Sequence, residues 1–165
     1  MGSMESLKRA LHLAGILAIT TLSCHAGDAV AERASRLIAA LDGAYQLSFA
    51  SGTVEGEAYI ATDSLILTRA SDTELHFSLR LNFYNGHACS AEGTAEYQPN
   101  GEFVYRQRFD KRECVLEIVP TDKAILLRDS TGNCKINTCG LRGEYQGASF
   151  ARSLRKPVSP TAATR

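Results

Sequence analysis

The sequence predicts a mainly β protein: one antiparallel meander of eight or nine short strands closing into a small barrel, with a β-sandwich as the alternative. One helix precedes the strands, and two disulfides hold them. Three observations carry this. Apolar and polar residues alternate with period two over most of residues 44–150. Turn residues interrupt that alternation at short, regular intervals. Four cysteines remain in the chain once an export segment is set aside.

The first 26 residues read as that export segment. Lys8 and Arg9 precede a run from Leu11 to Leu22 that is mostly apolar, and Ser23-Cys24-His25-Ala26 offers small residues for cleavage near Ala26. The run is about a dozen residues, whereas a membrane-spanning helix needs about 20. Cys24 just after the run raises a lipoprotein alternative, in which it is acylated and the protein is anchored in the envelope. A leucine three positions earlier would complete that signal, but Thr21 stands there. Either way the expected location is periplasmic or secreted, and membrane association depends on Cys24.

Residues 27–43 form the next unit. In "DAVAERASRLIAALD", Val30, Ala34, Leu37, Ile38 and Leu41 share one helical face, and Gly43 is a stop signal. So thin a stripe predicts a lid on a larger body. The barrel unit, residues 44–150, follows. Its clearest strand is "ELHFSLRLNFY", where Leu75, Phe77, Leu79, Leu81 and Phe83 fall on one side. Further strands are expected at 44–50, 54–62, 64–69, 90–98, 102–109, 113–119, 123–128 and 143–150. Turns are expected at Thr62-Asp63, Asn85-Gly86, Asp110-Lys111 and, as a tight primed hairpin, in "QPNGE" at 98–102. Residues 151–165 hold Pro157, Pro160 and four basic residues without periodicity, and read as a disordered basic tail.

Charge narrows the function classes. Residues 27–150 contain 12 basic and 17 acidic residues, a net charge of −5. That excludes a nucleic-acid role for the core and suits a basic protein partner. Cys89, Cys114, Cys134 and Cys139 lack the paired Cys-x-x-Cys spacing of a zinc site or a redox motif. In an exported domain they read as two disulfides with three connectivities open. The expected pairing is Cys134 with Cys139, closing a local loop, and Cys89 with Cys114 across a hairpin. Gly140 is expected to turn the chain after the first bridge, with Gly143 and Gly147 bending the last strand.

No catalytic, metal or cofactor site is expected. Outside the export segment the histidines are His76, which alternates with an apolar face, and His87, which sits in a turn. No Gly-x-Ser-x-Gly elbow or phosphate-binding loop is present.

The stretches "NGHACSAEGTAEY", "CVLEI" and "CKINTCGLRGEYQGASF" resemble a group of small exported bacterial β proteins that end in Cys…Cys-Gly-x-Arg-x4-Gly. Similar modules accompany lysozyme-inhibitor-type and toxin-immunity proteins. The resemblance covers about residues 82–150 and is most specific at Cys134, Cys139, Gly140, Arg142 and Gly147. The inhibitory loop sequence of the membrane-bound lysozyme inhibitors is absent. The resemblance implies a non-catalytic module that occludes the cleft of a basic hydrolase, with Tyr84, Asn85, His87, Arg142 and Glu144 as candidate contacts. The alternatives are a lipocalin-like carrier with a small ligand in the barrel, or a structural envelope protein. Oligomeric state is open.

Overall fold

The computed structural model describes residues 20–158, with side chains from residue 27 onward. The export segment up to residue 19 and the Cys24 side chain therefore lie outside the described residues. A helix, α1 (Thr20–Leu41), passes through the expected cleavage point at Ala26. Eight strands follow: β1 (Gly43–Gly52), β2 (Ala58–Arg69), β3 (Glu74–Asn82), β4 (Ala88–Tyr97), β5 (Phe103–Phe109), β6 (Arg112–Pro120), β7 (Ala124–Arg128) and β8 (Ser149–Ala151). A short helix, α2 (Asn133–Thr138), lies between β7 and β8. Every strand pairs antiparallel with the next in sequence, giving one sheet in the order β1 to β8. Ala44 and Lys156 then exchange backbone hydrogen bonds of 2.8 Å in each direction, which nearly closes the barrel.

The interior is built from the alternating residues. Leu75, Phe77, Leu79 and Leu81 of β3 are buried, and Phe83 packs partly against them. Tyr45, Leu65, Phe103, Leu116 and Phe150 meet them from other strands. These large side chains fill the centre as in other small barrels. The Phe77 and Tyr105 rings meet edge to face with centroids 5.1 Å apart.

Two strand assignments change. Residues 54–62 and 64–69 are not separate strands, because Thr62-Asp63 lies inside β2. The Asp63 carboxylate accepts the Asn82 amide at 2.7 Å, and the Asn82 side chain donates to the Thr62 carbonyl at 2.7 Å. These side-chain bonds end the β2–β3 ladder without turning the chain. The expected strand at 143–150 shrinks to β8. In "QPNGE", Gly101 has positive φ but Asn100 does not, and Gln98 pairs with Glu102. The hairpin therefore has a three-residue loop ending in a left-handed glycine, instead of a two-residue primed turn.

An up-and-down meander places alternate connections at opposite ends. One is the helix end, which α1 covers by burying Ala34, Ile38 and Leu41. The tail expected to be disordered takes part here, as far as residue 158. A 3-10 turn at Arg152–Leu154 follows β8. Arg155 donates to the carbonyls of Asp42 at 2.6 Å and Ala39 at 3.4 Å, and Arg152 to that of Ala40 at 3.4 Å. These carbonyls belong to the C-terminal turn of α1 and its flank, where cations are favoured. Residues 159–165 lie outside the described residues.

Candidate functional site

The opposite, stapled end gathers the β1–β2, β3–β4 and β5–β6 turns and the long β7–β8 connection. Its organisation follows from a split in the sheet. β4 and β5 pair only at Glu96–Tyr97 with Val104–Phe103. Farther along, the Gly93 backbone lies so close to Tyr105 that an added Cβ would stand 2.4 Å from the ring. Beyond that point the β4 edge is taken up by the β7–β8 connection: Gly140 donates to the Ala88 carbonyl at 2.7 Å, and Cys89 bridges Cys139.

The disulfides correct the expected pairing. They are Cys89–Cys139 and Cys114–Cys134, not Cys134–Cys139 and Cys89–Cys114. The reason is α2. Cys134 is in its first turn and Cys139 caps its end. Five helical residues turn the direction of a side chain by about 500°, so the two thiols leave about 140° apart. One reaches β6 and the other β4. The helix is thus bonded to strands on both sides of the split.

Polar groups fix the same segment. Asp129 is buried, and its carboxylate accepts the amides of Cys134 at 3.4 Å and Lys135 at 2.9 Å. Its own amide donates to the Gln146 side chain at 3.0 Å. Tyr145 is fully buried, with its hydroxyl 2.7 Å from that of Thr138. Burial pushes the Tyr145 phenol above its ordinary pKa, the Thr138 bond opposes this, and the Asp129 and Tyr105 groups add to the rise. Asp129 and Tyr145 were not singled out from the sequence. The available signals of the helix start were Asp129 and Thr131 ahead of Gly132-Asn133, and the Thr131 hydroxyl accepts the Asn133 amide at 3.3 Å.

The glycines have different uses. A hydrogen bond from the Gly143 N–H to the Gly140 carbonyl at 2.9 Å closes a tight turn around Leu141 and Arg142. A Cβ on Gly143 would stand 2.6 Å from Cys89 Sγ, so this glycine admits the disulfide and does not bend a strand. Gly147, at φ +85°, does require the left-handed conformation that glycine permits.

The structure unites the candidate contacts on this rim, though their tasks differ. The Arg142 guanidinium lies 5.9 Å from the Tyr84 ring centroid, in a cation–π contact. The Tyr84 hydroxyl donates to the Thr53 carbonyl at 2.6 Å, and the Asn85 side chain accepts the Val54 amide at 3.3 Å. Asn85 is thus occupied in tying two turns together. Its φ of 62° and that of Gly86 at 70° make the turn expected at Asn85-Gly86. His87 is half-buried beside Gly140, and Glu144 is exposed. Four exposed apolar side chains at this end were missed: Leu141, 86% exposed, Ile60, 70%, Val54, 59%, and Ile136, 57%. Glu55 and Glu57 flank Val54 and are exposed.

Among the described residues, no group of three or more His, Cys, Asp or Glu side chains could hold a metal ion, and no helix is long and apolar enough to cross a membrane. His76 Nε2 stands 3.6 Å from Glu92 Oε1 on an open strand face. Comparison of the chain with protein-family models, curated proteins and solved structures gives no match.

Proposed function

We propose that this is an exported, non-catalytic protein-binding module of the inhibitor or immunity kind, and that the stapled rim enters the cleft of a basic envelope hydrolase. The observation that carries the reading is Leu141. A large apolar side chain stands 86% exposed on a turn closed by one hydrogen bond and held next to a disulfide. Rigid support lowers the ordering cost of binding, and an exposed apolar tip gains by burial. Tyr84 and Arg142, already in cation–π contact, are residue types that anchor interfaces. The net charge of −5 over residues 27–150 would favour encounter with a cationic partner, while the rim itself carries both signs, with Glu55, Glu57 and Glu144 beside Lys111, Arg112 and Arg142. Two disulfides favour an oxidising compartment, periplasmic or secreted.

The carrier reading is less well supported, because large side chains occupy the interior and α1 and α2 stand over the two ends. Titration calorimetry of the protein against a panel of basic lysozymes and other envelope hydrolases tests the proposal. A complex that Leu141→Ala weakens at least about tenfold, a loss of about 1.4 kcal/mol or more from the burial of a large apolar side chain, is expected. Absence of a complex across the panel removes the hydrolase version.

A further inference from the structure

The backbone of β1 leaves one edge open. Ala44 exchanges its hydrogen bonds with Lys156 on the side away from β2. Strand alternation then points the N–H and C=O groups of Gln46, Ser48 and Ala50 the same way. None of these groups has a backbone partner among the described residues. The strand that would complete the barrel stops short: β8 has three residues and passes directly into the 3-10 turn at Arg152–Leu154.

The two edges of the sheet are defended differently. β8 is very short, and Arg152 follows it. β1 has ten residues, "GAYQLSFASG", without a charge or a proline. Sheet edges are ordinarily blunted by such residues or by brevity, since an open ladder recruits another strand. Apolar side chains accompany the open ladder. Leu47, 42% exposed, and the half-buried Phe49 share the inward face with Tyr45.

We propose that β1 is the pairing edge for a second copy of this chain, antiparallel about a two-fold axis at Ser48. Ser48 would face Ser48 of the second copy, and Gln46 would face its Ala50. The same register sets Leu47 against Phe49 of the second copy, twice, and so covers the exposed leucine. A two-fold axis confronts an edge with itself, so any charge near it meets its like; this edge is neutral and passes that condition. Few residues take part, so the association would be weak and dependent on concentration. This edge is separate from the stapled rim, and its test does not involve a hydrolase.

Sedimentation equilibrium from micromolar to near-millimolar protein should show a reversible shift from the mass of one chain to twice that mass. Ser48→Lys, which sets two lysines across the axis, should weaken the association at least about tenfold. Ser48→Cys preserves the size of the side chain and should give a disulfide-linked dimer on a non-reducing gel. Thr62→Cys should not, because Thr62 is also exposed but one strand farther from the axis, about 14 Å from its counterpart. A single-chain mass over the whole range, or cross-linking of T62C as readily as S48C, overturns the proposal.

Discussion

The two ends of the barrel are closed by different physics. At the helix end, α1 buries Ala34, Ile38 and Leu41, while Arg152 and Arg155 donate to carbonyls at its C-terminus. That closure is noncovalent and removes apolar surface from water. At the stapled end, two disulfides and the Asp129 and Tyr145 bonds hold the segment, yet Leu141 and Val54 remain in solvent. Covalent closure permits this. An end that owes its order to bridges can leave apolar groups far out in water, and the contrast is one of degree: Val30 of α1 is 41% exposed at the helix end, against 86% for Leu141. The difference is what the proposed binding role of the stapled rim rests on.

Removing the bridges should produce the largest effect. Cys89–Cys139 spans 50 residues and Cys114–Cys134 spans 20. Loop-closure entropy assigns them about 4 and about 3 kcal/mol. The double substitution of Cys89 and Cys139 by alanine should therefore lower unfolding stability by about 4 kcal/mol in a urea titration, and that of Cys114 and Cys134 by somewhat less. Equal, small losses would mean that the noncovalent bonds alone hold the end. Truncation of Ile38 to alanine at the other end should cost about 3 kcal/mol through lost burial and a cavity. A loss well below 1 kcal/mol would show that α1 contributes little to that closure.

Gly143→Ala probes the stapled end without breaking a bond. The added methyl would stand 2.6 Å from Cys89 Sγ and 3.1 Å from Cys139 Cβ. Neither atom can retreat easily, because each belongs to the bridge. A cost of about 2 kcal/mol is expected from the same urea measurement.

Ionisation offers a comparison of the two ends within one molecule. Tyr45, at the helix end, donates to the Leu41 carbonyl at 2.7 Å. Burial raises its pKa, Arg155 and Arg152 oppose the rise, and Asp42 adds to it. Tyr145, at the stapled end, is raised first by burial. In both cases the folded pKa lies above the unfolded value of about 10, so the fold retains the proton that the unfolded chain loses first. Their contribution is fully present below about pH 10 and is lost as pH rises through the folded values. Urea midpoints should therefore fall on the alkaline side of pH 10. Tyr45→Phe and Tyr145→Phe should each flatten that fall, at a neutral-pH cost of about 1 kcal/mol for the lost hydrogen bond. An unchanged alkaline slope in both variants would place the loss in other groups.

How much of this was legible in the sequence depends on whether the cause was local. Strand β3 was legible because five apolar residues at period two leave no helical alternative. The lid role of α1 was legible from its narrow stripe. Strand β2 was read as two because Thr62-Asp63 looks like a turn, and only Asn82, some 20 residues away, shows that these groups are satisfied within a strand. The pairing of the cysteines depends on α2, a six-residue helix too short to show a period. The arginines of the tail could not be placed without knowing that the C-terminus of α1 lies beside them. At the rim, Tyr84 and Arg142 were found as turn residues, but Leu141 was missed because a single leucine in a turn carries no periodic signal.

Leu141→Ala should have the smallest effect on stability and is the sharpest test of the contrast between the ends. Its side chain is 86% exposed, so little burial can be lost, and the turn that carries it is closed by a Gly143–Gly140 backbone bond that the substitution leaves intact. A change within about 0.5 kcal/mol is expected, as for other surface positions without special contacts. Ile38, of similar size, is fully buried at the other end and should cost several times more. If Leu141→Ala proved as destabilising as Ile38→Ala, both ends would be closed by burial, and the apolar tip would need no partner to explain it. If instead stability holds while hydrolase binding falls, Leu141 acts at an interface, and the bridges beside it serve to keep an apolar side chain in water at little cost to the fold.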